Sequence, residues 1–220
     1  MIALIDYKAG NLTSVKKALA ALGADVVVPS TPGELAGARG IIVPGVGHFG
    51  ATRAIDRAWI AAILERIGEG RPLFGICLGM QWLFEGSGEA PDCPGLGVFS
   101  GRCYRLGAHA AGWSASLSGE RFHAADAVAL QAIKIPHVGW NSLTFEHDAP
   151  ILDGVASGAQ VYFTHSYVAP LTSETVAVAE HGEPFTAVVQ RAHIAGVQFH
   201  PEKSGDVGLR ILSNFLQQAG

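Results

Sequence analysis

Several things are scarce in this chain of 220 residues, and each scarcity narrows what it can be. No segment approaches the roughly 18 consecutive apolar residues needed for a membrane span. The start, Met1-Ile2-Ala3-Leu4-Ile5-Asp6, has a short apolar run but neither the basic opening nor the long apolar core of a signal peptide. A soluble, cytoplasmic protein is therefore expected. Lysines and arginines form no block, and the formal net charge is -4, which argues against nucleic acid or an acidic membrane as the main partner. The only cysteines, Cys77, Cys93 and Cys103, cannot all pair, and their spacing matches no zinc pattern. A reduced protein without a metal site is expected. Internal repeats and low-complexity tracts are also missing.

What is present describes an ordinary globular core, with 49% hydrophobic and 15% charged residues. The length suits one compact domain over 1–220. Short apolar runs at 2–5, 25–28, 41–43 and 73–76 read as buried strands. Helical spacing appears between them: Leu12, Val15, Leu19 and Leu22, then Ile55, Trp59, Ile63 and Ile67 within a long helix from about 51 to 67, then 78–84. That alternation implies βαβ units and a parallel sheet. The second half changes character, with strands expected at 98–106, 160–168, 175–180, 185–190 and 194–199 and a closing helix at about 207–217. The fold class expected is α/β: a three-layer, flavodoxin-like domain with a mixed, mainly parallel sheet and an antiparallel section in the C-terminal half. Its ligand chemistry should lie at the carboxyl ends of the parallel strands. The Ala-, Gly- and Ser-rich stretch 107–132 has weak periodicity and reads as an insertion or surface excursion.

The strongest chemical signal is Phe74-Gly75-Ile76-Cys77-Leu78-Gly79-Met80, a strand running through Gly-x-Cys-x-Gly into a helix. This is a nucleophile elbow with cysteine in the serine position. Glycines flank it because a Cβ on either side of so sharp a turn would collide with backbone. The turn sets Cys77 at a helix N-terminus, which favours thiolate. The bland alternative is a buried core cysteine.

A thiol nucleophile needs a base, and the base needs an orienting partner. Among nine histidines, His200 follows the apolar run Ala195–Phe199 and precedes Pro201-Glu202. In an extended stretch residues two apart share a side, so Glu202 can reach the His200 ring. A surface histidine beside a capping glutamate is the alternative. The turn Pro44-Gly45-Val46-Gly47 can direct backbone N–H groups at an oxyanion, with Val46 and Leu78 as the pair of donors, or can be a plain βα turn. His109, His123, His147, His181 and His193 read as solvated, His137 and His165 as structural, and Cys93 and Cys103 as ordinary thiols.

These elements, in this order, resemble the class I (triad) glutamine amidotransferases. Within that family the chain is similar to the glutaminase subunits of imidazole glycerol phosphate synthases. The stretches that carry the likeness are Asp6-Tyr7-x-x-Gly10-Asn11-Leu12-x-Ser14-Val15, Pro44–Gly47, Gly75–Gln81, Pro136-His137-x-Gly139-Trp140-Asn141, Tyr162-Phe163-x-His165-Ser166-Tyr167 and Gln198–Ser204. The resemblance implies hydrolysis of L-glutamine by Cys77, His200 and Glu202. It further implies substrate contacts at Gly47, Gln81, Ser166 and Tyr167, and no cofactor. The implied partner is a (β/α)8-barrel cyclase subunit (HisF) in a heterodimer, with Asn11 and Lys203 at the interface. Two stretches depart from the family pattern: 107–132 is long, and Glu85-Gly86-Ser87-Gly88-Glu89 follows the usual Ser-Glu-Glu form only in part. The rival readings are another triad amidotransferase, a free-standing cysteine hydrolase on this fold, and a binding module that has kept the fold without catalysis.

Overall fold

The structure, a computed structural model, describes residues 1–108 and 133–220. The excursion expected at 107–132 therefore lies, from residue 109 onward, outside the described residues, as do His109 and His123.

Its centre is an eight-stranded sheet. In spatial order the strands are β2 (Val26–Val27), β1 (Ile2–Leu4), β3 (Gly40–Val43), β4 (Leu73–Ile76), β14 (Ile194–Val197), β13 (Pro184–Arg191), β12 (Thr175–Glu180) and β9 (Thr144–Phe145). The first five pair in parallel and the rest antiparallel, as the switch in sequence character implies. The parallel strands are apolar throughout because both faces are covered. Successive residues of a strand point to opposite faces, so Ile2 and Leu4 enter one core and Ala3 and Ile5 the other. The first core takes Val15 and Leu19 of α1 (Leu12–Ala21) and Ile211, Leu212 and Phe215 of α4 (Gly205–Gln218). The second takes Ile63 of α2 (Arg57–Gly68) and Leu78, Met80 and Leu83 of α3 (Leu78–Leu83). Helices on both faces complete three layers. Among the described residues no helix is long and apolar enough to cross a membrane.

Two smaller sheets stand at the cleft end. One joins β5 (Gly86–Ser87), β6 (Ala90–Pro94), β7 (Arg102–Arg105) and β11 (Tyr167–Val168); the other is the antiparallel ribbon of β8 (His137–Ser142) and β10 (Gln160–His165).

Strands β5, β6, β8 and β9 have no counterpart in the sequence expectation, the strand expected at 98–106 is confined to Arg102–Arg105, and two expected elements are divided. The single helix expected at 51–67 is a 3-10 turn, Phe49–Ala54, followed by α2. Asp56 separates them, because its carboxylate accepts from the N–H groups of Ala58 and Trp59 and caps α2. The strand expected at 160–168 is split at Ser166, so that β10 and β11 belong to different sheets.

Candidate active site

β3, β4 and β14 lie side by side, with Val43 opposite Gly75 and Ile76 opposite Val197. Their carboxyl ends therefore deliver Gly45–Gly47, Cys77 and His200 to one place. Cys77 takes φ +52°, a left-handed conformation that is strained for any residue with a Cβ. The chain holds it there by backbone bonds: Cys77 N–H donates to Val197 O at 2.8 Å, and Gln81 N–H to Cys77 O at 3.0 Å. Both flanking glycines are required by space. A Cβ on Gly79 would stand 1.8 Å from the Val43 carbonyl oxygen, and one on Gly75 would stand 2.7 Å from backbone atoms of Gly79 and Met80.

The His200 ring is buried, and its Nδ1 lies 2.9 Å from Glu202 Oε1, itself buried. The pairing is the one expected, but its local geometry is not. Pro201–Lys203 is a 3-10 turn, so Glu202 reaches the ring by curling back and not by strand alternation. The turn is pinned on both sides: Ser204 Oγ donates to His200 O at 2.7 Å and accepts from Tyr162 N–H at 3.0 Å, while His200 N–H donates to Tyr162 O at 2.9 Å. Burial alone pushes the His200 pKa down, yet it stands raised to about 10. Hydrogen bonding to Cys77 and the negative sulfur there outweigh burial, with Glu202 adding to both. Nε2 has no hydrogen-bond partner of good geometry among the described residues, which leaves it for the sulfur and for whatever the sulfur attacks. Gln198 Nε2 also donates toward Cys77 Sγ at 3.6 Å.

The two N–H groups expected to bind an oxyanion are both engaged. Val46 N–H donates to Ala9 O at 3.1 Å, and Leu78 N–H donates to Gly45 O at 3.4 Å, a long bond. The Gly45 carbonyl and the Val46 N–H belong to one peptide plane, so a single unit blocks both donors. Tyr7 packs under this turn. Its hydroxyl is buried with no partner among the described residues and would be 2.0 Å from a Cβ on Gly45. Burial, and then the charge of Cys77, raises its pKa far above the usual tyrosine range.

A cleft of about 240 Å³ opens over Cys77. Val46, Gly47, Leu78, Gln81, Ser166 and Tyr167, each proposed from the sequence, line it. Gln81 is fixed, donating to Tyr167 O at 2.9 Å and Gln198 Oε1 at 3.1 Å. Pro136, Thr164, His165 and Glu89, none of them proposed from the sequence as a site residue, also line it. Glu89 is the only carboxylate among the described lining residues, and its Oε2 also accepts from Phe49 N–H at 2.7 Å. The available signal for Glu89 was a lone acid at the tip of a Gly-rich β5–β6 hairpin. Asn11 and Lys203 do not line the cleft. Asn11 caps α1 through Ser14 N–H, and the Lys203 ammonium lies 5.8 Å from the Tyr162 ring centre.

Three of the histidines gain specific contacts within the readings given them: His181 and His193 stay partly exposed, and His165 is buried. His181, expected to be solvated, stacks on His137 and bonds to the Lys134 carbonyl, and His193 bonds to the Ile67 carbonyl. His165, expected to be structural, lines the cleft. His147 is exposed.

Comparison with known proteins narrows the reading. The family model described as "Glutamine amidotransferase class-I" matches residues 3–219. Curated relatives named "Imidazole glycerol phosphate synthase subunit HisH" include one from Thermococcus kodakarensis, 40% identical over 98% of this chain and 98% of its own. Another, from Gloeobacter violaceus, is 43% identical over 99% of this chain and 89% of its own. A crystal structure titled as a glutamine amidotransferase superposes over the whole of both chains with TM-score 0.70 at 22% identity. The structure of PurLQS from Thermotoga maritima gives TM-score 0.70 at 16% identity, over 98% of this chain and 97% of that one. These last two establish the shared fold.

Proposed function

Since the chain belongs to the class I glutamine amidotransferase family, we propose that it is the glutaminase subunit of an imidazole glycerol phosphate synthase, with Cys77, His200 and Glu202 as its catalytic triad. The observation that carries this is the left-handed Cys77 elbow facing a buried His200–Glu202 pair at the floor of a small polar cleft.

The Cys77 thiolate attacks the side-chain amide carbon of L-glutamine. His200 gives its proton to the departing ammonia, and a thioester forms on Cys77. Water then attacks the thioester while His200 takes a proton from it, and glutamate leaves. Glu202 keeps Nδ1 protonated and the ring aimed. Glu89 suits the substrate's α-ammonium group, and Gly47, Gln81, Ser166 and Tyr167 shape the rest of the site. Val46 and Leu78 supply the oxyanion donors once the Gly45–Val46 peptide has turned over. The chain alone is then a weak glutaminase.

Ammonia passes to a (β/α)8-barrel cyclase partner, HisF, which makes imidazole glycerol phosphate and an aminoimidazole carboxamide ribotide for histidine biosynthesis. Docking is supported by the outer face of β8, where Val138 and Trp140 are more than half exposed, an unusual state for large apolar side chains side by side. Trp140 abuts Tyr162, over which Lys203 sits, so the patch is continuous with the His200 turn. Asn11 is assigned to the same interface on the resemblance alone.

The test is glutamine hydrolysis by the purified chain, alone and with the cyclase and its nucleotide substrate. The expected result is stimulation of at least tenfold. Hydrolysis indifferent to the cyclase assigns the chain to another amidotransferase branch, and no hydrolysis in either condition refutes the triad assignment.

A further inference from the structure

Behind the cleft wall lies a chain of side chains with only one consistent set of proton positions. His137 on β8 and His165 at the end of β10 are cross-strand partners, and His137 Nδ1 lies 3.0 Å from His165 Nε2. Asn141 Nδ2 lies 3.4 Å from His137 Nε2, and His165 Nδ1 lies 3.1 Å from Tyr167 O. Both ends are fixed by backbone groups whose roles are unambiguous. The Asn141 side-chain atom that meets Ser142 N–H at 2.8 Å must be the oxygen, and the one that meets Glu180 O at 2.8 Å must be the nitrogen. Asn141 thus presents an N–H to His137 Nε2, which must be bare. The His137 proton then sits on Nδ1 and points at a bare His165 Nε2. His165 in turn carries its proton on Nδ1 and donates to the Tyr167 carbonyl.

That carbonyl is on the cleft wall and takes its second hydrogen bond from Gln81 Nε2 at 2.9 Å. We propose that Asn141, His137 and His165 form a positioning relay that holds the Ser166–Tyr167 wall of the glutamine site, with His137 as its controlling residue. The proposal rests on the glutaminase reading and deepens it. His137 touches no substrate and acts only by donating to His165 Nε2, which fixes the ring's position. Without it, that buried Nε2 is an acceptor left without this donor, and the ring is held only by its bond to the Tyr167 carbonyl. Packing keeps the relay rigid: the His137 ring stacks on His181 at 4.1 Å and on Phe163 at 4.8 Å. Burial, reinforced by the neighbouring histidine charges, also keeps both rings neutral, lowering His137 to about 4 and His165 to about 3, although the Tyr167 carbonyl opposes the shift at His165.

Two measurements on the full chain test this. Nitrogen-15 spectra of histidine-labelled protein at neutral pH should show both rings as Nδ1–H tautomers, and an Nε2–H tautomer at either refutes the relay. Glutamine binding to the Cys77→Ser chain is then compared with that of Cys77→Ser carrying His137→Phe, which keeps the stack and removes the donor. Kd is expected to weaken about tenfold, and to return to within about threefold with His137→Asn, whose amide nitrogen replaces Nδ1. In the Cys77 chain with its cyclase, His137→Phe should raise KM about tenfold and change kcat less than threefold. An unchanged Kd, or no recovery with asparagine, overturns the proposal. A parent that neither binds nor hydrolyses glutamine overturns the glutaminase reading and the relay's purpose with it, even where the tautomers are as expected.

Discussion

Replacing Glu202 with glutamine separates orientation from charge. The amide oxygen can still accept from His200 Nδ1, now 2.9 Å from Oε1, so the ring should keep its place. Two things change. The amide nitrogen takes the position of Oε2, which is buried with no partner among the described residues, and leaving its N–H groups unpaired costs about 1–3 kcal/mol of stability. The carboxylate charge is also lost from beside the imidazolium. Two unit charges about 4 Å apart at an effective dielectric of about 20 attract by about 4 kcal/mol, an upper bound on what the substitution removes from the charged transition state. At about 1.4 kcal/mol per decade, kcat should fall by about 10² and by no more than about 10³. His200→Ala, which removes the proton carrier itself, should cost more. The assay is steady-state glutamine hydrolysis with the cyclase present, paired with a nuclear magnetic resonance titration of His200, whose pKa should drop below its value of about 10. A loss equal to that of His200→Ala, or an unmoved titration, would refute the assignment of Glu202 as an orienting charge.

Other perturbations follow from the same geometry. Gly79→Ala forces a methyl into the Val43 carbonyl and should destabilise by at least about 3 kcal/mol, a fall of about 6–12 °C in melting temperature; a fall under 2 °C would show that the elbow tolerates a Cβ. Glu89→Gln keeps an oxygen for Phe49 N–H but removes the charge, so KM for glutamine should rise about 10- to 100-fold with kcat little changed; an unchanged KM places the α-ammonium elsewhere. The pH profile of stability has two arms. His137 and His165 are depressed to about 4 and 3, so below about pH 6.5 the unfolded chain binds protons that the folded one refuses. Unfolding free energy then falls with pH by up to about 1.4 kcal/mol per unit for each ring. His200 is raised to about 10, so its contribution is whole below about 6.5 and is lost as pH climbs toward 10. Urea titrations at pH 5, 7 and 9 should show a maximum near neutrality, and a flat profile rejects both arms.

The parts of this molecule that were legible in the sequence are those with local causes. A buried parallel strand must be apolar on both faces, so β1, β3 and β4 announce themselves as short runs. The elbow was legible because the Gly-x-Cys-x-Gly spacing is itself a local pattern: Gly75 answers a steric demand set by Gly79 and Met80, although the demand on Gly79 comes from the distant Val43 carbonyl. What escaped depends on partners distant in sequence. Glu89 becomes a cleft residue only because the β5–β6 hairpin folds beside Phe49, and nothing near residue 89 encodes that. β8 has a polar and aromatic composition with no clean alternation, because one side faces the histidine stack and the other carries exposed Trp140 and Val138. Its true partner β10 lies beyond the intervening residues 143–159, which themselves hold β9 of a different sheet. Asp56 was misread because an aspartate inside a helical period and one that caps a new helix differ only in backbone angle, which is extended here.

The closed oxyanion donors and the strained nucleophile make one functional argument. Cys77 is held in a left-handed conformation by backbone bonds and by contacts that exclude a Cβ at Gly75 and Gly79, so its position does not depend on substrate. The oxyanion site, by contrast, is set by one peptide between two residues of the Gly45-Val46-Gly47 turn. Gly45 lacks a Cβ because Tyr7 and Leu78 leave no room, and Gly47 stands at φ +97°, where glycine alone is unstrained. Under the proposed function, turning that peptide would exchange a 3.1 Å and a 3.4 Å hydrogen bond for two N–H donors free to meet the substrate oxygen. The second of these bonds is long and therefore weak, so the exchange asks little of the protein. A partner that binds the turned form better by only a few kcal/mol is enough to switch the population. On the proposed reading, the fold alone holds nucleophile and proton carrier in place, and the step left to the cyclase partner is the one that would govern whether glutamine is hydrolysed without a consumer for its ammonia.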